Sequence, residues 1–167
     1  SDIDILGTKN KPVLIKACDV SNDKFNSGGV IFEDSKIRID NLVIKNLKVP
    51  NTNLRILYGG INFIKSKVEI GNLLVFSSKS EDAINVIDSE LNANLLDIYD
   101  AKSDGLDSDF SNVTIKKVRC ANIANDCVDF SYSLAKINNI ESYFTGDKSI
   151  SLGEASILDV NQVKLNN

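Results

Sequence analysis

A pattern that returns about every 22 residues constrains this chain more than any other feature. Each copy reads as a turn, an apolar-x-apolar stretch, a serine, and then alternating apolar residues interrupted by an Asn-rich position. Copies begin near Gly28, Gly59, Asp82, Asp104, Asp126 and Asp147, and the last four starts stand 22, 22 and 21 residues apart. Three kinds of column fix the register. One is serine: Ser35, Ser66, Ser89, Ser111, Ser133 and Ser156. Apolar columns run through Ile37, Val68, Leu91, Val113, Ala135 and Leu158, and through Leu42, Leu73, Leu96, Val118, Ile140 and Val163. An Asn-rich column contains Asn41, Asn72 and Asn139.

Strict alternation over short stretches is the signature of a half-buried strand. Repeated at a fixed period, it predicts short strands on successive coils, paired in parallel at about 4.8 Å. One coil alone cannot bury its apolar side, whereas stacked coils share a core of aliphatic ladders. The expected fold is all-β: a single-stranded right-handed parallel β-helix of about six coils. A leucine-rich repeat does not fit, because the residues after each serine alternate as a strand rather than leading into a helix. The whole chain, 1–167, reads as one β-helix domain, with a leading coil over 1–27, repeated coils over 28–167 and an inserted loop over 48–55. It starts at Ser1 and contains no methionine, so a fragment of a longer protein with flanking domains is expected.

Composition sets further limits. A net charge of −4 argues against wrapping a nucleic-acid backbone, and no apolar run reaches the length of a membrane span. Cys18, Cys120 and Cys127 make an odd count. Cys18 lies layers away from the other two, and free buried thiols are expected rather than a disulfide. Without a histidine or a CxxC pair, a zinc site is not expected.

The distinctive polar feature is acidic. Asp82, Asp104, Asp126 and Asp147 are read as one corner column. Asn62, Asn85, Asp107 and Asp129 are read as an outward column beside it, with Asp109 on the same side. Stacked carboxylates repel, so the row is either a repeated turn cap or a site for a cation or other ligand, Lys148 included. Calcium at Asp107 and Asp129 is the expected metal if the row is a site. The four tyrosines fall on what read as different parts of the coil and are taken as structural.

Two resemblances follow from particular residues. Ser103-Asp104-Gly105-Leu106-Asp107, Asn125-Asp126-Cys127-Val128 and Ile150-Ser151-Leu152-Gly153 resemble the active-site strip of polygalacturonases, which belong to the pectate-lyase-like superfamily. That resemblance implies Asp104 and Asp126, with Asp107 beside them, as carboxylates acting on a polysaccharide. However, the family's general-acid position carries Asn125 and its histidine position Lys148. Over most of its length the chain is similar to bacterial right-handed β-helix repeat proteins, through Glu81-Asp82-Ala83-Ile84-Asn85, Asp107-Ser108-Asp109-Phe110-Ser111 and Gly146-Asp147-Lys148. These resemblances imply an extracellular or cell-surface location. The expected function is a non-catalytic module that presents a face to a polysaccharide or a cell-surface protein. The alternative is a polysaccharide-degrading enzyme fragment with a degenerate active site.

Overall fold

The computed structural model describes residues 1–17, 28–51 and 56–166, and among these it is a parallel β-solenoid without a helix. The chain opens with β1 (Asp2–Leu6), β2 (Val13–Lys16), β3 (Val30–Glu33), β4 (Lys36–Asp40) and β5 (Leu42–Lys45). Each later coil contributes a short strand and a long one. These are β6 (Gly59–Ile64) and β7 (Lys67–Phe76), β8 (Asp82–Ile87) and β9 (Glu90–Ala101), and β10 (Asp104–Asp109) and β11 (Asn112–Ile123). They are followed by β12 (Val128–Ser131) and β13 (Leu134–Thr145), and by β14 (Ile150–Leu152) and β15 (Ile157–Asn166).

The short strands stack as one sheet in the order β14-β12-β10-β8-β6-β3, so the chain climbs about five turns between β3 and β14. The long strands stack as the other sheet, β1-β4-β7-β9-β11-β13-β15, with β2 and β5 extending it. The apolar columns pair residue for residue, as in Leu42 with Leu73, Leu73 with Leu96, Leu96 with Val118 and Val118 with Ile140. The leading coil joins the same register, Ile3 beside Ile37 and Val13 beside Leu42. Cys18 and residues 52–55 of the inserted loop lie outside the described residues.

Between the sheets runs one continuous core, with Ile61, Ile84, Leu106 and Val128 at its centre, all fully buried. Phe32 and Phe63 stack within it at 5.5 Å. The serine column lies beside this core as a repeated staple. Each backbone N–H of Ser35, Ser66, Ser89, Ser111 and Ser133 donates to the Oγ of the serine one coil ahead, at 3.0–3.2 Å. The same Oγ atoms donate back to the carbonyl two residues earlier in their own coil, for example Ser111 to Asp109 at 2.7 Å. Each hydroxyl thus satisfies backbone groups where the chain leaves one sheet for the other.

Cys120 and Cys127 form a disulfide, contrary to the free thiols expected from the sequence. The seven-residue separation spans the end of β11 and the following corner, which returns the chain until the two Cα atoms are 5.7 Å apart with both side chains fully buried. That separation lies within disulfide reach.

The residue before each serine bends the chain through the left-handed region. Asp34, Lys65, Asp88, Phe110, Tyr132 and Ala155 all have φ between 48° and 52°. A second such column closes the long strands at Asn46, Ser77, Asp100, Asn122 and Phe144, with φ of 55–57°. Left-handed backbone is unfavourable for bulky residues. Here the ladder holds it: the N–H of Phe110 donates to Ser131 O at 3.0 Å, and that of Tyr132 to Glu154 O at 2.7 Å.

Candidate functional site

The acidic residues gather on the short-strand sheet. Asp82 pairs with Asp104 across β8 and β10, as the corner column requires. The register then departs from the sequence reading. Val128 pairs with Ile150, a step of 22 residues, so the position after Asp126 in the column is Lys148 and not Asp147. Asp147 is exposed and one residue out of register. Its carboxylate is held by Lys148 Nζ, which also lies 3.5 Å from Asp126 Oδ2.

The capping role is real, but it acts between coils rather than within one turn. Asp104 Oδ1 accepts the N–H of Asp126 at 2.8 Å and the amide of Asn125 at 2.7 Å. Asp126 Oδ1 accepts the N–H of Lys148 at 2.6 Å. Each aspartate therefore satisfies a backbone donor one full coil ahead, a bond that a within-turn motif cannot anticipate. Burial holds the Asp104 carboxyl above its ordinary value, although both of these hydrogen bonds work in the opposite direction.

The outward column changes character along its length. Asn62 and Asn85 are buried, not solvent-facing. Asn62 ties the turn at Gly59, accepting its N–H at 3.1 Å and donating to its carbonyl at 2.8 Å. Asn85 uses one nitrogen to reach two carboxylates, Asp82 Oδ2 at 2.7 Å and Asp107 Oδ2 at 3.0 Å. Its own Oδ1 has no partner among the described residues. Burial raises Asp82 to about 7, partly opposed by the Asn85 bond. Burial, and then the charges of Asp82, Asp109 and Asp129, raise Asp107 to about 8.

Asp107 and Asp129 are adjacent in the ladder, and Asp109 lies beside Ser131. All three are half-buried. Asp109 is also raised, chiefly by burial and then by Asp129 and Glu154. Among the described residues no ion pair neutralises Asp107, Asp109, Asp129 or Glu154. No group of three His, Cys, Asp or Glu side chains among the described residues is arranged to hold a metal ion.

Phe110 and Tyr132 complete this face. Their rings stack at 4.9 Å with planes 8° apart, and the side chains are 61% and 50% exposed. Comparing the tyrosines alone overlooks this pair, although both residues stand one place before the serine column. Tyr99 and Tyr143 likewise share a column, either side of Ala121, rather than lying on different parts of the coil.

The long-strand sheet carries a different surface. A groove of about 650 Å³ there is lined by Arg38, Glu69, Asn92 and Lys116, among others. Much of its polar lining is already engaged, Arg38 forked on Asp4 and Asn92 on Glu69. Among the described residues no helix is long and apolar enough to cross a membrane. Compared with protein-family models, with curated proteins and with solved structures, the chain matches none.

Proposed function

We propose that this chain is a non-catalytic β-helix module of a secreted or surface bacterial protein, binding glycan along the face formed by β8, β10 and β12. The observation that carries this reading is the exposed Phe110–Tyr132 stack beside the outward carboxylates of Asp107, Asp109 and Asp129. The fold does not need rings there: the same corner column holds Asp34, Lys65, Asp88 and Ala155. Aromatic rings beside hydrogen-bonding carboxylates suit a sugar, which has apolar C–H patches and polar hydroxyls. The buried Cys120–Cys127 disulfide supports an oxidising compartment, in keeping with an extracellular location.

The enzyme alternative gains less support. Two of its three candidate carboxylates, Asp104 and Asp126, are engaged in bonding backbone N–H groups of the next coil, which leaves Asp107 without a second free carboxyl among them. Glycoside hydrolysis needs one carboxyl free to give a proton and another free to act on the opposite side. The test is a glycan array probed with the native chain and with Phe110→Ala/Tyr132→Ala, alongside an assay for released sugar. Binding lost in the variant without hydrolysis supports the module. Sugar release that depends on Asp104 or Asp126 would replace it with the enzyme reading. Calcium titration with and without Asp107→Asn/Asp129→Asn decides whether those two carboxylates hold the ion.

A further inference from the structure

We infer that the surface over Ala121, between Tyr99 and Tyr143, receives an aromatic side chain of a partner polypeptide. This site lies on the long-strand sheet and does not rest on the glycan-binding reading above.

The first argument is spacing. Tyr99, Ala121 and Tyr143 occupy one outward column on β9, β11 and β13, and Phe76 precedes Tyr99 in it. Ala121 interrupts this run of rings. Its side chain ends at Cβ, and it is itself only half-buried, so the neighbouring tyrosines do not close over it. Two coil steps separate Tyr99 from Tyr143, about 9.6 Å along the ladder. The fold itself shows how rings on consecutive coils arrange. Phe110 and Tyr132 stack at 4.9 Å with planes 8° apart, and Phe32 and Phe63 at 5.5 Å with planes 11° apart. Tyr99-Ala121-Tyr143 is such a stack with its middle ring missing. A ring placed over Ala121 lies one coil step from each tyrosine, within the range of stacked aromatic pairs.

The second argument is charge complementarity. The charges around the gap are already matched, Arg119 forked on Asp97 and Lys117 on Glu141 at 2.8 Å. Asn122 donates to Asp100 at 3.0 Å. Lys164, from the coil beyond, lies 5.8 Å over the Tyr143 ring and supplies the cation that a tyrosine face attracts. A charged occupant therefore finds no counterion to gain. A sugar brings hydroxyls that need partners, and these polar groups are engaged with one another. A neutral flat ring asks for neither.

The third argument is size. A gap one ring wide buries too little surface to hold a small free molecule against the cost of immobilising it. Carried on a polypeptide, the same ring is an anchor, and interface energy concentrates on such aromatic anchors.

The experiment is an NMR titration of the native chain. The probes are a flexible Gly/Ser heptapeptide with a central Trp, the same peptide with Leu at its centre, and cellotetraose. The Trp peptide should shift the Tyr99, Ala121 and Tyr143 signals and bind about tenfold more tightly than the Leu peptide. Its indole protons should move upfield under the two tyrosine rings. Ala121→Phe fills the gap with a ring of the chain's own, as Phe76 fills the same column, and should abolish binding. Tyr143→Leu removes one wall without adding bulk and should weaken the Trp peptide to the level of the Leu peptide, so the test does not depend on one variant folding. Phe110→Ala/Tyr132→Ala should leave this binding unchanged, which separates it from the glycan face. Equal binding of the Leu peptide, equal shifts at these residues with cellotetraose, retained binding in Tyr143→Leu, or no binding of either peptide would overturn the inference and leave the glycan reading standing.

Discussion

Asn85 donates to Asp107 at 3.0 Å from one coil to the next, and the same nitrogen also holds Asp82. A single neutral amide thus bridges two carboxyls that burial raises to about 7 and about 8. Between the unfolded value of 3.8 and these folded values the native state binds more protons than the unfolded chain. The stability these groups contribute is therefore fully present below about pH 4, and it is lost as pH rises from there through 7 and 8. A tenfold difference in proton affinity between the folded and unfolded chain corresponds to about 1.4 kcal/mol, and coupling between the two carboxyls makes the total smaller than their sum. Urea denaturation from pH 5 to pH 9 should show a loss of a few kcal/mol. Asp107→Asn should flatten the profile and make the protein more stable than the native chain at pH 9. A profile that rises with pH would contradict this account.

The serine staple predicts a cost for each hydroxyl removed. In Ser111→Ala, the buried N–H of Ser89 loses the acceptor that now lies at 3.0 Å. A buried donor left unpaired costs about 1–3 kcal/mol. Equilibrium denaturation should show that loss, with hydrogen exchange of the Ser89 amide accelerated ahead of its neighbours. Unchanged stability would mean that water replaces the hydroxyl.

The disulfide closes a short loop, for which the chain-entropy model gives about 2–3 kcal/mol. Cys120→Ala/Cys127→Ala, or reduction by a phosphine, should lower the melting temperature by several degrees. The coil should persist, because the β10–β12 and β11–β13 ladders do not depend on the bond. Loss of the β-sheet signal on reduction would show the bond to be required for the fold.

Ser142 stands in an otherwise apolar column, beside Cys120, with its Oγ buried and without a partner among the described residues. Ser142→Ala removes that unmet hydroxyl with little change of volume, and should raise stability by about 1 kcal/mol. A destabilised variant would point to a partner for the hydroxyl, such as a buried water.

The solenoid is legible in the sequence because its signal is repeated. Six serines and the inward-facing aliphatic columns each report the same register, and a single error cannot displace them. The places where structure and sequence reading part company lack that redundancy. Charge alone selects Asp147 for the acidic column, whereas the step of 22 residues selects Lys148. Cys127 sits in a corner, where no alternation predicts its direction, so its approach to Cys120 is invisible in the pattern. Asn85 and Asp107 share a column, but nothing local says that the former is sealed and the latter half-open. Phe110 and Tyr132 are within reach of the sequence, since both immediately precede a column serine and stack for that reason.

The left-handed corners separate what this chain must keep from what it is free to change. Along one of them the occupants are Asp34, Lys65, Asp88, Phe110, Tyr132 and Ala155, with almost no chemistry in common and nearly the same backbone angle. The ladder enforces the bend, so side-chain identity there is decoupled from folding. Such a corner offers one outward position per coil at which single substitutions can accumulate while the interior stays constant.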